Sequence, residues 1–352
     1  MQSEAKCDIN RVVVELVAAC NNSCAHCYNY WQHNSDKANQ PRRLERCEVR
    51  DLVSKVRDDA PLSTVAISGG EPFLHEELPE IVCDLADDGL NAVVITNGTL
   101  LGEARLKRFP TGTAFEVTLF SADADLHNRL AGRVVFDSIL DGLVRLERHG
   151  GRFVLALVVT RLNAHDVSRT IELGLALGAE GIMLNRVNLS RRCLPLADQI
   201  VPDATMLQAS LDAAEKTAEK YDISVAVSVP IPPCLVDPQR YRKLSFGWCP
   251  RGGSESYYTI GWNSLVRPCN HSSVVLGDLC RETFADIVNS ARTTDFWAPE
   301  PKECRRCRHP MAKLCRGGCP AAADECYGTR ERIDPFVAIC GASPPSDSSV
   351  SG

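Results

Sequence analysis

Apolar residues in the first half of the chain fall in short unbroken runs separated by longer stretches of helical period. The runs are RVVVELV (11–17), TVAIS (64–68), NAVVIT (91–96), AFEVTLF (114–120), FVLALVV (153–159) and GIMLN (181–185). Between them, segments such as EVRDLVSKVRDDA (48–60), LPEIVCDLADDGL (78–90), FDSILDGLVRLERHG (136–150) and DVSRTIELGLALG (166–178) carry one apolar face at helical spacing. Strands without polar alternation are buried on both faces, as in a parallel sheet covered by helices. The six strand–helix repeats predict an α/β fold, either an open doubly wound sheet or a partial (β/α)6 TIM-like barrel.

Past residue 200 the pattern changes. Residues 203–221 read as an amphipathic helix with Asp203 as its N-cap. VPIPPCLVDP (229–238) then breaks regular structure with four prolines, and SYYTIGWNSLVRPC (256–269) predicts a hairpin turning at Gly261–Ser264. The expected divisions are a core over 1–200, a bridging helix and proline-rich linker over 201–240, a Cys-rich domain over 241–340, and a polar tail without fixed structure over 341–352.

Composition adds constraints. A chain of 352 residues can bury one large core and a smaller one. Its net charge of −6, with the basic stretches PRRLER (41–46) and ECRRCRHP (303–310) diluted by acidic neighbours, argues against a nucleic-acid partner. No stretch approaches the ~20 apolar residues of a membrane span, and the N-terminus lacks a secretory pattern, so a cytoplasmic protein is expected. Seventeen cysteines there point to metal or redox chemistry rather than a disulfide framework. They fall in two groups, one near the start and one from Cys249 to Cys340.

The first group lies in CNNSCAHCYNYW (20–31), where Cys20, Cys24 and Cys27 follow the first strand. Thiolates suit zinc or iron–sulfur centres. Three is one short of a closed tetrahedral site, so either His26 or His33 completes a zinc site or a position stays open. Polar motifs follow at the ends of later strands: AISGGEPFLH (66–75), ITNGTLL (95–101), LFSADADLHNRLAGR (119–133) and VVTRLN (158–163). Active sites of barrels assemble at those C-terminal strand ends.

Over roughly the first 190 residues this set resembles the radical S-adenosylmethionine (SAM) superfamily. The resemblance implies that Cys20, Cys24 and Cys27 hold a [4Fe-4S] cluster whose open iron chelates SAM. Reductive cleavage of SAM would then give a 5′-deoxyadenosyl radical that removes a substrate hydrogen atom. It also implies that Gly69, Gly70 and Glu71 approach SAM, with Glu71 accepting a hydrogen bond from the SAM ammonium. Asn97, Ser121 and Arg161 are further cofactor-binding candidates, with Thr160 and Asn163 beside them. His26 is expected near the adenine, and His75 and His127 are expected in structural roles. Tyr28, Tyr30 and Trp31 are expected to pack around the loop.

The pattern Cys304-x2-Cys307-x7-Cys315-x3-Cys319, preceded by Cys249 and Cys269 and trailed by Cys340, resembles the SPASM extension. That extension carries auxiliary iron–sulfur clusters in sulfatase-maturating and peptide-modifying enzymes. The resemblance assigns Cys304, Cys307, Cys315 and Cys340 to an outer cluster, with Cys326 as the rival to Cys340. It assigns Cys249, Cys269 and Cys319 to an inner one, completed by an open iron, a non-Cys ligand or Cys280. A pair of zinc knuckles is the alternative for these cysteines, and a non-enzymatic metal scaffold the alternative for the whole chain.

The function so implied is hydrogen abstraction from a ribosomally made peptide, ending in a cross-link, an oxidation or an epimerisation. The rival reading is a dehydrogenase or epimerase acting on an aminocyclitol or sugar in antibiotic biosynthesis; a chain that opens on its first strand, without a leader-binding module, mildly weakens the peptide reading. Cys193 and Cys234, outside both motifs, are the candidate hydrogen donors for epimerisation. A reducing partner such as flavodoxin or ferredoxin is expected to supply the electron.

Overall fold

A computed structural model describes residues 6–29 and 43–341. The calls on Tyr30, Trp31, His33 and all of the tail after residue 341 lie outside them. The six apolar runs become six parallel neighbours: β1 (Arg11–Val17), β2 (Thr64–Gly69), β3 (Asn91–Thr96), β4 (Ala114–Thr118), β5 (Arg152–Val159) and β6 (Gly181–Arg186). Two further strands, β7 (Val225–Val227) and β8 (Leu244–Phe246), extend the row in parallel. Each has three residues, too few to carry a periodic signal, which is why the expectation stopped at six.

The other edge gives β1 a second partner. Strand β9 (Thr259–Ile260) lies parallel to it, followed by β10 (Leu265–Arg267) and β11 (Gly277–Asp278) in an antiparallel meander. The sheet therefore runs β11-β10-β9-β1-β2-β3-β4-β5-β6-β7-β8 and stays open between its edges, a partial barrel. The expected hairpin forms: Gly261 N–H donates to the Leu265 carbonyl at 2.9 Å, and Ser264 sits at φ 63.

Helices cover the outer face. Helix Arg46–Arg57 buries Val49, Leu52, Val53 and Val56, and helix Phe136–Arg148 buries Ile139, Leu143 and Leu146. On β4 the buried Phe115 and Val117 point to these layers, whereas Glu116 and Thr118 line the interior cavity. Asp203 caps helix Ala204–Tyr221, accepting from Met206 N–H at 2.9 Å. Two buried ion pairs join the first half to the second. Glu15 on β1 meets Arg267 on β10 at 2.5 Å, and Arg186 on β6 meets Asp334. No helix among the described residues is long and apolar enough to cross a membrane.

Candidate active site

The loop from Cys20 to Cys27 leaves the end of β1 and is held by backbone contacts. Gly70 N–H donates to the Val17 carbonyl at 2.8 Å, and Glu71 N–H to Ala19 at 2.9 Å. A Cβ on Gly70 would stand 1.9 Å from the Ala19 carbonyl oxygen, so only glycine allows this approach. Farther along, Ser23 N–H donates to Ala131 at 3.0 Å and the Asn29 amide to Gly69 at 2.9 Å. The two glycines of the motif thus set the start of the thiol loop against the end of β2.

All three thiols line one cavity of about 530 Å³, open at its mouth. Burial first, and then the Cys27 and Cys20 thiols, hold the Cys24 proton well above the usual range. Arg192 sits close by, its guanidinium donating to the Cys24 carbonyl at 3.4 Å. It follows the sixth strand beside Cys193, and only its basic character next to a cysteine hinted at this role. Asn97 lines the same cavity, donating to Asn21 at 2.8 Å and pointing at the Cys20 sulfur at 3.9 Å.

His26 and His127 flank Phe120 on the cavity wall, with ring centroids 4.7 Å and 5.4 Å from it. Burial lowers both imidazoles to about 4, so both are neutral. Among the described residues, His26 Nδ1 and His127 Nε2 have no hydrogen-bond partner, and neither does the buried Asn22 Oδ1. A wall of aromatic rings with unpaired polar atoms suits a bound planar heterocycle.

Cys249, Cys269 and Cys319 line the same cavity. Burial, and then Cys319 and Cys249, push the Cys269 thiol well up. The Asn188 amide reaches Cys319 Sγ at 3.8 Å. Cys280 is exposed and does not line this cavity, so the structure does not bring it to the inner group. A second cavity, of about 420 Å³, is ringed by Cys304, Cys307 and Cys315 together with Cys234.

Among the described residues no three His, Cys, Asp or Glu side chains converge on a point that could hold one metal ion. A single zinc needs four ligands within about 2.3 Å of one centre. Thiols spread around a cavity fit a polynuclear cluster instead.

The Radical SAM superfamily model matches residues 14–174, and the SPASM iron-sulfur cluster-binding domain model matches residues 249–309. The chain carries a radical SAM domain followed by a SPASM domain. It is similar to the PqqA peptide cyclase of Granulibacter bethesdensis, 25% identical over 97% of this chain and 90% of that protein. That of Xanthomonas oryzae pv. oryzae is 26% identical over 95% and 88%.

Among solved structures, Streptococcus suis SuiB bound to its precursor peptide SuiA superposes with a TM-score of 0.73 at 13% identity, over 95% of this chain and 76% of that one. Native anSMEcpe with bound AdoMet gives 0.68 at 16%, over 94% of each. At such identities these two show the fold alone. The radical SAM and SPASM domains imply a SAM-binding [4Fe-4S] cluster and auxiliary clusters.

The fold does not bring every expected residue to the cavity. Glu71 is fully buried and accepts from Thr96 Oγ1 at 2.7 Å, Asn97 N–H at 2.8 Å and Phe73 N–H at 3.0 Å. It braces the ends of β2 and β3, while Gly69 and Gly70 line the cavity. Ser121 is turned outward, its hydroxyl donating to Asp166, because the chain has already left β4 at Thr118. Thr118, Ser68 and Thr96 line the wall instead; alternation along their strands was the available signal.

Arg161 donates to the Val201 carbonyl at 3.0 Å and pairs with Asp203 at 3.6 Å, away from the cavity. Thr160 and Asn163 bond each other in the same turn. His75 bridges Leu44 and Glu77 as part of the scaffold. Cys193 is completely buried, with Ser190 N–H donating to its sulfur at 3.1 Å, and does not reach the cavity. Cys340 is buried elsewhere, its thiol donating to the Pro202 carbonyl at 3.2 Å. Cys326 lies near Cys193 and Cys319 and lines neither cavity.

Proposed function

We propose that this protein modifies a ribosomally made peptide by removing a hydrogen atom from one residue and then one further electron, with a proton released to solvent, giving a cross-linked or otherwise oxidised product. The observation that carries this reading is the single cavity lined both by the Cys20, Cys24 and Cys27 thiols and by Cys249, Cys269 and Cys319. When bound, the clusters and SAM supply a one-electron cleavage that generates the abstracting radical, and the inner auxiliary site supplies an acceptor for the substrate's second electron.

The chain's own residues do the positioning. His26, Phe120 and His127 offer a cluster of aromatic rings for the nucleoside, and Asn97 holds the start of the thiol loop. The cavity, about 530 Å³, accepts one or two side chains beside SAM. The rest of a peptide would lie across its open mouth. The PqqA peptide cyclases, similar along nearly the whole chain, and SuiB, solved with its precursor peptide, support a peptide over a sugar.

An oxidative outcome is favoured over epimerisation for a specific reason. Every cysteine lining this cavity belongs to one of the two thiol triads, and neither Cys193 nor Cys234 lines it. A substrate radical there has no spare thiol from which to take a hydrogen atom. The reducing electron would come from a flavodoxin- or ferredoxin-type donor in the cytoplasm.

The test uses anaerobically reconstituted protein with SAM, reductant and candidate short peptides encoded beside its gene. The expected result is 5′-deoxyadenosine together with a peptide lighter by two hydrogens. A peptide of unchanged mass with inverted configuration, or turnover of an aminocyclitol and of no peptide, would sink this reading.

A further inference from the structure

The outer cysteine group lacks the partner that the SPASM pattern supplies from the end of the chain. Cys340 is buried against Pro202, and its sulfur does not line the outer cavity. In its place stands Cys234, contributed by the proline-rich bridge more than sixty residues upstream of the other three ligands. We propose that Cys234 is the fourth ligand of the outer auxiliary cluster, completing a four-thiolate site with Cys304, Cys307 and Cys315.

Several features carry this. All four cysteines, and no other, line the same cavity of about 420 Å³. Each lies within electrostatic reach of the others: Cys304 is close to Cys315, Cys234 and Cys307, and Cys234 is close to Cys315 and Cys307. A four-thiolate shell is the usual holder of a [4Fe-4S] cluster.

The position of Cys234 is also fixed by packing rather than left to a mobile loop. Pro232 and Pro233 are buried, and Leu235 N–H closes the turn onto the Pro232 carbonyl at 2.9 Å. Pro232 packs against Gly318, in the segment after Cys315. A Cβ on Gly318 would stand 3.1 Å from Pro232 Cγ and 2.7 Å from Asp334 Cβ. Glycine at φ +87 therefore lets the bridge turn settle against the ligand loop.

The exposure of the thiol fits as well. Cys234 is exposed on a turn whose flanking prolines are buried. A cluster seated among the four sulfurs would cover it. Finally, the cavity wall is cationic, with Arg305, Lys313 and Arg316 outnumbering Glu300 and Glu303. Positive side chains balance the negative charge of a thiolate-bound cluster.

This inference rests on the auxiliary-cluster reading and is indifferent to the substrate. Its test is done in a full chain carrying Cys20→Ala, Cys24→Ala and Cys27→Ala, so that any reconstituted iron belongs to auxiliary sites. Into this background go Cys234→Ser, Cys234→Ala and Cys340→Ser, each read by iron and sulfide content, electron paramagnetic resonance of the reduced protein, and circular dichroism for folding. Cys234→Ala should lose about four irons per chain, and Cys234→Ser should lose them or shift the resonance of one cluster. Cys340→Ser should match the background in both.

Iron and resonance unchanged by both Cys234 variants overturn the proposal, as does loss on Cys340→Ser alone or stoichiometric zinc in the background chain. A background chain that binds no iron at all overturns the auxiliary-cluster reading along with it. A Cys234→Ala chain that fails to fold is replaced by Cys234→Ser, whose resonance decides.

Discussion

The Asn270 amide donates to the Tyr28 hydroxyl at 2.8 Å, and the ring of the neighbouring His271 meets the Tyr28 ring edge-on at 4.1 Å. Tyr28 follows the last thiol of the first loop, and Asn270 follows Cys269 of the inner group. One aromatic side chain thus ties the Cys27 part of the cavity wall to the Cys269 part. Tyr28→Phe should cost about 1 kcal/mol for the lost hydrogen bond. Tyr28→Ala, which also removes the ring, should cost about 3–5 kcal/mol. Urea titration of the two variants checks both values. Tyr28→Ala should also raise the ratio of 5′-deoxyadenosine to modified product. An unchanged ratio would mean that the two parts are tied by other contacts.

Gly70 is the tightest point of the thiol loop, with room for no side chain beside the Ala19 carbonyl. Gly70→Ala must push the Ala19–Cys20 backbone away and should destabilise the fold by about 1–3 kcal/mol. It should also lower iron at the first site and cut SAM cleavage strongly. Replacing Cys20, Cys24 and Cys27 together should abolish cleavage while leaving auxiliary iron in place. Iron analysis and 5′-deoxyadenosine yield, measured on the same preparations, separate these outcomes.

Glu116 faces the interior with no ion-pair partner among the described residues, and burial alone pushes its carboxyl up to about 7 from an ordinary 4.5. Between those values the folded chain holds a proton that the unfolded chain has released. Its contribution to stability therefore falls as pH rises from 4.5 through 7, and is most unfavourable above 7. Glu116→Gln should stabilise the protein at alkaline pH by on the order of 1–3 kcal/mol and have little effect below the ordinary carboxylate range. Denaturation midpoints across that range test the sign. A pH-independent difference would show that the carboxylate does not titrate on folding.

Arg186 and Asp334 form an ion pair in which neither side chain is exposed. Asp334 also accepts from Cys319 N–H at 2.9 Å, and Arg186 donates to the Pro230 carbonyl at 2.8 Å. The pair ties the sixth strand, the bridge and the inner thiol loop together. Asp334→Ala leaves a buried guanidinium without its carboxylate and should cost about 3–5 kcal/mol. Combining it with Arg186→Met should cost less than the two single changes added together. Additive single costs in a double-mutant cycle would show that the pair is not coupled.

The sequence by itself determined the α/β repeat, the thiol triad after the first strand, the glycine pair that seats it, and the presence of a second cysteine-rich region. Those signals are local: strand runs, helical period and cysteine spacing are set within a dozen residues. Only the tertiary structure decided which side chains face the cavity. Ser121 and Arg161 stand in the expected stretches, yet a residue or two of chain direction turns them outward, while Thr118 and Ser68 face in. Likewise no spacing rule connects Cys234 to Cys315. Their proximity comes from Pro232 packing on Gly318 and from two three-residue strands that carry the bridge back to the sheet. Long-range contacts of this kind depend on where separate segments come to rest, and that is a property of the whole packed chain rather than of any stretch of it.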